Sequence, residues 1–209
     1  MRRSFDDPYA WQLPERRKEA RFKLILRAGV LEQAGRASIC LVKNISATGV
    51  QLKVYTKPLL DTDASVRVAD EDPVSGRVAW IDGNQVGVSL DRELDTATLL
   101  RVQQKLRTKK RRSFPRMEVQ VPAQLRTHGR IFQARVHDIS SLGARVGVEI
   151  QLQSGDQIVL EIAGLPLLGA YVRWADGRQT GLAFQTPIPI NLVAHWLEHV
   201  RGQCCQPPR

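Results

Sequence analysis

The chain of 209 residues repeats itself, and this internal repeat restricts its fold more than any other feature of the sequence. Three sequence blocks recur in the same order in the two halves. The offset is 94 residues from Ser46 to Ser140 and 95 residues from Arg17 to Arg112, and the block around Trp80 also recurs after 94 residues. One matching block could arise by chance, whereas three blocks in one register indicate a duplicated folding unit. Each unit of about 100 residues is long enough for a small β-domain with its own core.

The repeated blocks combine arginines, a short polar motif, and a tryptophan followed by glycine. The first block is RRKEAR at 16–21 and recurs as RRSFPR at 111–116. The second block is NISATG at 44–49 and recurs as DISSLG at 138–143. The third block is RVAWIDGNQVGVSL at 77–90 and recurs as YVRWADGRQTGLAF at 171–184. Each block keeps its residue types as well as its place, so the two halves are predicted to share one fold.

Around these blocks, both halves show the short, partly alternating apolar segments that are typical of β-strands. The predicted strands are 22–32, 37–44, 50–55, 65–69, 76–81 and 85–90 in the first half, and 117–126, 131–138, 144–149, 157–162, 170–174 and 180–184 in the second. Six short strands at this spacing predict a closed or nearly closed barrel in each half. Apolar residues at helical spacing predict a helix over 95–110 and another over 191–201. We therefore predict a mainly β fold of two six-stranded barrels in tandem, each followed by a C-terminal helix, with domains over 1–104 and 105–209.

Three arginines lie within six residues in each first block. They are Arg16, Arg17 and Arg21 in the first half, and Arg111, Arg112 and Arg116 in the second. The planar guanidinium pairs bidentately with phosphate and with the edge of guanine, and it also stacks on bases. Such a segment could wrap several guanidinium groups around one compact anion. A solvated basic linker is the alternative, and it is the commoner meaning of an isolated RRxxxR.

The second block places two polar side chains and a glycine at the end of a predicted strand. They are Asn44, Ser46 and Gly49 in the first half, and Asp138, Ser140 and Gly143 in the second. Because one apolar residue separates them, the two polar side chains lie on the same face of the strand. A carboxylate there can accept hydrogen bonds from the ring N–H groups of guanine. The alternative is a β-turn that these side chains stabilise without any ligand.

Taken together, in order and twice, these blocks resemble the signature of the PilZ family, RxxxR followed about 20 residues later by [D/N]xSxxG. The resemblance covers most of the chain, from about 15 to 100 and from about 110 to 200. It implies a six-stranded barrel with a C-terminal helix, and it implies cyclic di-GMP as the ligand. In the family, the arginines bind phosphates and guanines, and the polar residues of the second block contact a guanine at the barrel surface.

The resemblance also implies a receptor that works through a downstream protein, since family members control motility, exopolysaccharide export or virulence. In the family, an arginine just before the first motif accompanies an intercalated ligand dimer. Arg16 and Arg111 occupy those positions, which predicts up to two ligand molecules in each half. Asn44 offers a neutral acceptor where Asp138 offers a charged one, so the second half is predicted to bind more tightly.

Trp80 and Trp174 are candidates for stacking on an exposed guanine, because aromatic faces are general platforms for bases. A buried tryptophan in a barrel strand is the alternative.

Charge distribution supports one rival interpretation. The net charge is +10, and residues 105–116 contain seven basic residues and no acid. Such a segment would suit contacts to a nucleic-acid backbone, or a protein-interaction module that uses the basic linker without a ligand. No recognition helix or zinc-finger spacing is visible, and the PilZ motif already accounts for the arginines, so nucleic acid is the weaker hypothesis.

A zinc site and an enzyme are also weaker hypotheses. His195 and His199 lie four apart on a predicted helix with Cys204 and Cys205 close behind, but no second ligand pair appears upstream. No catalytic triad, paired carboxylate motif or phosphate-binding glycine loop stands out, so we predict neither catalysis nor a cofactor. The first residues contain no apolar signal segment, and no apolar stretch approaches the length of a membrane helix, which favours the cytoplasm.

Overall fold

A computed structural model describes residues 22–68, 72–95 and 114–204, with the side chains of 22–26 and 202–204 outside the description. Within this part of the chain, no helix has the length and apolar character needed to cross a bilayer. The described residues form two barrels and one helix, in agreement with the mainly β fold that the sequence predicts.

The first barrel consists of six antiparallel strands rich in β-branched residues, which favour a pleated and half-buried surface. They are β1 (Phe22–Gln33), β2 (Arg36–Ile45), β3 (Gly49–Val54), β4 (Asp63–Val68), β5 (Val74–Asp82) and β6 (Gln85–Leu90). The strands follow one another around the barrel in the order β1-β2-β3-β6-β5-β4, and β1 pairs with β4 to close it. Closure leaves no free sheet edge, which removes a surface prone to aggregation.

The second barrel repeats this topology with nearly the same strand lengths. Its strands are β7 (Met117–Thr127), β8 (Arg130–Ser140), β9 (Gly143–Val148), β10 (Gln157–Ile162), β11 (Leu168–Ala175) and β12 (Gln179–Phe184). They follow the order β10-β11-β12-β9-β8-β7, and β7 pairs with β10 to close the barrel. The helix α1 (Ile190–Cys204) follows β12. Residues 96–110 of the helix predicted over 95–110 lie outside the described residues.

Each barrel encloses an apolar interior made by alternate strand residues. In the first barrel, β3 and β4 alternate strictly between buried and less buried positions, so Val50, Leu52 and Val54 all face inward. In the second barrel, Leu125 and Leu160 are fully buried. This period of two is the pattern expected when one face of a strand meets a core and the other meets solvent.

The helix α1 belongs to the core of the second barrel and also reaches the first. Its residues Val193 and Leu197 are buried in the same continuous apolar cluster as the second barrel. Val30 and Ile39, on β1 and β2 of the first barrel, are part of that cluster as well. Because a strand in a barrel turns alternate side chains outward, these two residues extend the second core across the wall of the first barrel.

Polar contacts between α1 and β2 accompany this packing. Arg36 forms an ion pair with Glu198, and Arg201 donates a hydrogen bond to the carbonyl oxygen of Ala37. Burial lowers the pKa of the Arg201 guanidinium, with Arg36 nearby as a second cause. The two halves therefore meet through a mixed apolar and ionic interface built on α1.

Candidate functional site

The polar motif of each half forms the turn between the second and third strands of its barrel. Ser46 Oγ donates a hydrogen bond to the carbonyl oxygen of Gly49 at 3.2 Å, and Ser140 Oγ makes the same bond to Gly143 at 3.2 Å. Between the polar positions, Ile45 lies buried in the core. The motif serine thus has a structural task in the turn, whether or not it also contacts a ligand.

The motif glycine lies where two strands approach closely. At Gly143, a Cβ atom would lie 2.1 Å from the carbonyl oxygen of Leu182 on β12, which real Cβ atoms do not tolerate. At Gly49, the corresponding distance to the carbonyl oxygen of Val88 is 3.2 Å. A side chain at Gly143 would therefore push the motif turn away from the barrel wall, whereas one at Gly49 would require only a small local shift.

In each half, a β-bulge precedes the first polar residue of the second block and the tryptophan of the third block. The strand register slips by one residue just before Asn44, Trp80, Asp138 and Trp174. A bulge breaks the strict alternation of side chains and changes the direction of the residues beside it. It therefore lets these four side chains leave the alternating pattern of their strands at the same end of each barrel.

In the first barrel, the polar motif and the tryptophan line one cavity of about 160 Å³. Asn44, Ser46 and Gly49 contribute one wall, and Trp80 contributes another. Gln51, which no sequence argument had selected, also lines the cavity. The structure thus brings the second and third sequence blocks together, although 31 residues separate Gly49 from Trp80.

Both candidate tryptophans lie at the surface rather than in a core. Trp80 is 39% exposed and Trp174 is 43% exposed. Each indole rests on a glycine of the neighbouring strand, because a Cβ atom at Gly87 or Gly181 would lie 2.0 or 2.2 Å from the indole Nε1. The glycine holds the ring in place, and the exposed part of the indole remains accessible to a partner.

In the first half, Asn44 begins a series of hydrogen bonds across three strands, in which two amide–amide bonds lead to a lysine. Asn44 Nδ2 donates to Gln51 Oε1 at 2.5 Å, and Gln51 Nε2 donates to Gln85 Oε1 at 3.0 Å. Lys43 Nζ donates to the same Gln85 oxygen at 2.9 Å. The bulge before Asn44 explains how the adjacent residues Lys43 and Asn44 serve a single network.

In the second half, charged groups occupy the matching positions. Asp138 is buried, and its two carboxylate oxygens accept hydrogen bonds from Arg116 Nη1 at 2.6 Å and from Arg145 Nε at 2.5 Å. Arg145 Nη1 also donates to Gln179 Oε1 at 3.0 Å. Such charge-assisted bonds are stronger than the amide bonds of the first half.

Arg116 links the first and second sequence blocks of the second half, because it pairs directly with Asp138. The other five candidate arginines, Arg16, Arg17, Arg21, Arg111 and Arg112, lie outside the described residues. Their part in the site stays a prediction from the sequence.

A comparison with models of known families places the chain unambiguously. The model described as the PilZ domain matches twice, at residues 15–107 and at residues 110–202. The chain belongs to the PilZ domain family. The two matches cover most of the 209 residues and coincide with the two barrels, so this is a tandem PilZ protein.

Solved structures resemble the chain only distantly. The PlzA protein of Borreliella burgdorferi, solved with c-di-GMP, is 13% identical with a TM-score of 0.39, over 81% of this chain and 86% of that one. The inhibitor of motility MotI of Bacillus subtilis is 15% identical with a TM-score of 0.36, over 88% and 100%. YcgR of Escherichia coli, also solved with c-di-GMP, is 12% identical with a TM-score of 0.34, over 85% and 84%. The search among curated proteins found no match.

Within residues 22–68, 72–95 and 114–204, no three or more His, Cys, Asp or Glu side chains lie together as a group that could hold a metal ion. His195 instead meets the ring of Tyr55 edge-on, with the ring centroids 6.3 Å apart. Cys205, one of the residues in the zinc hypothesis, lies beyond the described part of the chain.

Proposed function

We propose that this tandem PilZ protein is a receptor for cyclic di-GMP, with one site at the motif end of each barrel, and that it is not an enzyme. The family assignment supports this proposal, because the family's motif residues are present in both halves. The single observation that carries it is the ion pair between Arg116 and Asp138. This pair brings an arginine of the first motif onto the acceptor of the second, so that both blocks can address one ligand.

Each group of the site has a chemical task toward such a ligand. Guanidinium groups of Arg17, Arg21, Arg112 and Arg116 would neutralise the two phosphates and stack on the bases. Asp138 can accept further hydrogen bonds from a guanine while it stays paired, since a carboxylate offers about four lone-pair positions. The exposed indoles would stack on the guanine that the polar motif holds.

Ligand binding would also act on the link between the barrels. Residues 16–21 and 105–116 carry dense positive charge, so an anion with two phosphates would favour their folding against the barrel. Since 105–116 joins the two halves, we propose that ligand binding changes the inter-barrel arrangement and that a downstream protein detects the change. Limited proteolysis provides the measurement: cleavage within 105–112 should fall sharply when ligand is added, and unchanged cleavage would contradict the switch.

Calorimetric titration with cyclic di-GMP tests the receptor function itself. Wild type should bind saturably, and R17A and R112A should each lose a separate part of the sites. Two ligands per half would support intercalated dimers at Arg16 and Arg111, whereas saturation at one ligand per chain would exclude them. With R17A and R112A as the two single-site proteins, the R17A protein, which retains the Asp138 site, should bind more tightly.

Absence of binding by wild type would refute the receptor function. The dense charge of 105–116 then favours the second candidate, a module that binds nucleic acid or protein through its basic linker. Salt-dependent retention of a duplex oligonucleotide, lost when the lysines of 105–110 are replaced by glutamine, would identify that function.

A further inference from the structure

We propose that Lys43, acting through Gln85 and Gln51, determines which end of the Asn44 amide faces the ligand site of the first half. The inference rests on the proposed function, and it assigns positioning roles to three residues that lie outside the family motif. It concerns a problem that only the first half has. An asparagine presents an acceptor and a donor that are almost identical in shape, whereas an aspartate presents acceptors in both positions.

The direction of the hydrogen-bond chain follows from its last member. An ammonium group can donate but cannot accept, so Lys43 fixes Gln85 Oε1 as an acceptor. Gln51 must then present Nε2 to Gln85, and its Oε1 is left to accept from Asn44 Nδ2. With the amino group of Asn44 held by Gln51, its carbonyl oxygen Oδ1 is directed away from the network.

This orientation is the one that a guanine requires. The Watson–Crick edge of guanine carries two N–H groups, and these need an acceptor on the protein. If the chain ran in the opposite direction, the Asn44 amino group would meet those N–H groups, donor against donor. A donor that is buried without an acceptor weakens binding as much as a lost hydrogen bond does.

The second half reaches the same result without a lysine. Arg145 occupies the position of Gln51 and can only donate, and Asp138 can only accept, so no inversion is possible. His137 occupies the position of Lys43 and interacts with Gln120 rather than with Gln179. The half with Asn44 therefore has a lysine, Lys43, at the end of its hydrogen-bond network. The half with Asp138 has His137 at the matching position, and His137 interacts with a residue outside the network.

The test separates the effect of hydrogen-bond direction from that of net charge. The substitution that should restore the favourable direction adds a negative charge, and the one that should invert it adds a positive charge. All variants are made in the full-length R112A protein, so that the titration with cyclic di-GMP reports the first half. K43M removes the terminal donor. Adding Q85E restores a group that can only accept, whereas adding Q85K introduces a group that can only donate and so inverts the chain. A fourth variant, K43R, keeps a donor at residue 43.

Among the three proteins that carry K43M, the expected order of affinities is opposite to the order of positive charge. K43M should bind about twofold more weakly, because roughly half of the molecules then present the wrong end of the amide. K43M/Q85E should return to within about twofold of the R112A parent, although it is the more acidic protein. K43M/Q85K should bind about tenfold more weakly, because its extra cation fixes the unfavourable orientation. K43R should bind like the parent.

The same set in an N44D background provides the control for a purely structural effect. A carboxylate presents an oxygen whichever way the network runs, so direction no longer matters there. In this background K43M/Q85K should bind at least as tightly as K43M/Q85E. Removal of Lys53, another lysine on the first barrel, by K53M should leave the affinity close to that of the parent in both backgrounds.

Each failure has its own signature. If the R112A protein with an intact first half does not bind cyclic di-GMP, the proposed function fails for this half. The positioning role of Lys43 is refuted if the protein binds but affinity rises with positive charge among the three K43M proteins that retain Asn44. It is equally refuted if K43M/Q85K is as weak in the N44D background as it is with Asn44 in place. Equal urea midpoints across the set would exclude unfolding as the cause of any loss.

Discussion

Arg145 donates its Nε hydrogen to Oδ2 of Asp138 at 2.5 Å, and the matching position in the first half holds Gln51. The duplication has therefore kept the motif while the groups that support it have diverged. One half holds its acceptor by ion pairs, and the other holds it by amide hydrogen bonds. This difference leads to a prediction about stability that needs no ligand.

Replacement of Asp138 by alanine should destabilise the protein more than the matched change at Asn44. D138A leaves Arg116 and Arg145 facing each other without their shared carboxylate, whereas N44A removes a neutral hydrogen bond. Because both guanidiniums are about one third exposed, solvent screens part of the cost. We expect about 1–2 kcal/mol for D138A and less than about 1 kcal/mol for N44A, measured by urea unfolding. Equal losses in the two variants would mean that the ion pairs add nothing to the fold.

Tryptophan emission should report the site in each half. A guanine stacked on Trp80 or Trp174 should quench that indole, since both are exposed and held against a glycine. Trp196 is buried and donates its Nε1 hydrogen to the Ala163 carbonyl at 2.8 Å, so its emission should not change. The decrease in emission on addition of cyclic di-GMP should therefore be smaller in W80F than in wild type, and smaller in W174F by a separate amount. Full quenching in the double variant would show that neither indole contacts the ligand.

A charge at the interface between the barrels should separate them. Ile39 is buried in the cluster of the second barrel although it belongs to the first, so I39D places a carboxylate in an apolar contact. We expect a loss of about 2–3 kcal/mol of stability and a larger radius of gyration in small-angle X-ray scattering. I131D is the matched control, because Ile131 is exposed and should tolerate the change. An unchanged radius in I39D would show that the ionic contacts of α1 hold the interface by themselves.

Cys40 should make stability depend on pH in alkaline solution. Burial raises the pKa of its thiol from 9.0 to about 12, so the folded state keeps a proton that the unfolded state loses. The effect is absent below about pH 9, and above it stability should fall by about 1.4 kcal/mol per pH unit until about pH 12. Subtracting the pH profile of a C40A variant isolates this contribution from that of other groups. A difference profile that is flat from pH 9 to 11 would contradict it.

The strands could be predicted from the sequence because a barrel wall requires alternating apolar and polar residues, and the turns between strands favour glycine and polar residues. The bounds predicted for Gln85–Leu90 and Gln157–Ile162 are those of the structure, and the remaining strands differ by one or two residues at one or both ends. The motif turns were one of the two interpretations that the sequence left open, and the hydrogen bonds from serine to glycine show that they form. The order of the strands around each barrel depends on pairing between distant segments, such as β1 with β4 and β7 with β10.

The supporting residues of the site were not predicted, because they come from strands that meet only after the barrel has closed. Gln51 and Gln85 are 34 residues apart and look like ordinary polar positions on exposed faces. The bulges that direct Lys43 and Asn44 to the same network have no sequence signal of their own. A weak signal existed for the interface, since the apolar run from Ile39 to Val42 is typical of a strand buried on both faces.

Because α1 completes the apolar surroundings of Val30 and Ile39, the two halves are not exchangeable modules. A fragment that ends after the first barrel would expose both residues to water and would tend to associate with other copies of itself. A chimaera that joins this first barrel to the PilZ domain of another protein would remain soluble only if the new domain brought a terminal helix with a matching apolar face. In the present chain, replacement of either barrel would therefore also change the packing of the other.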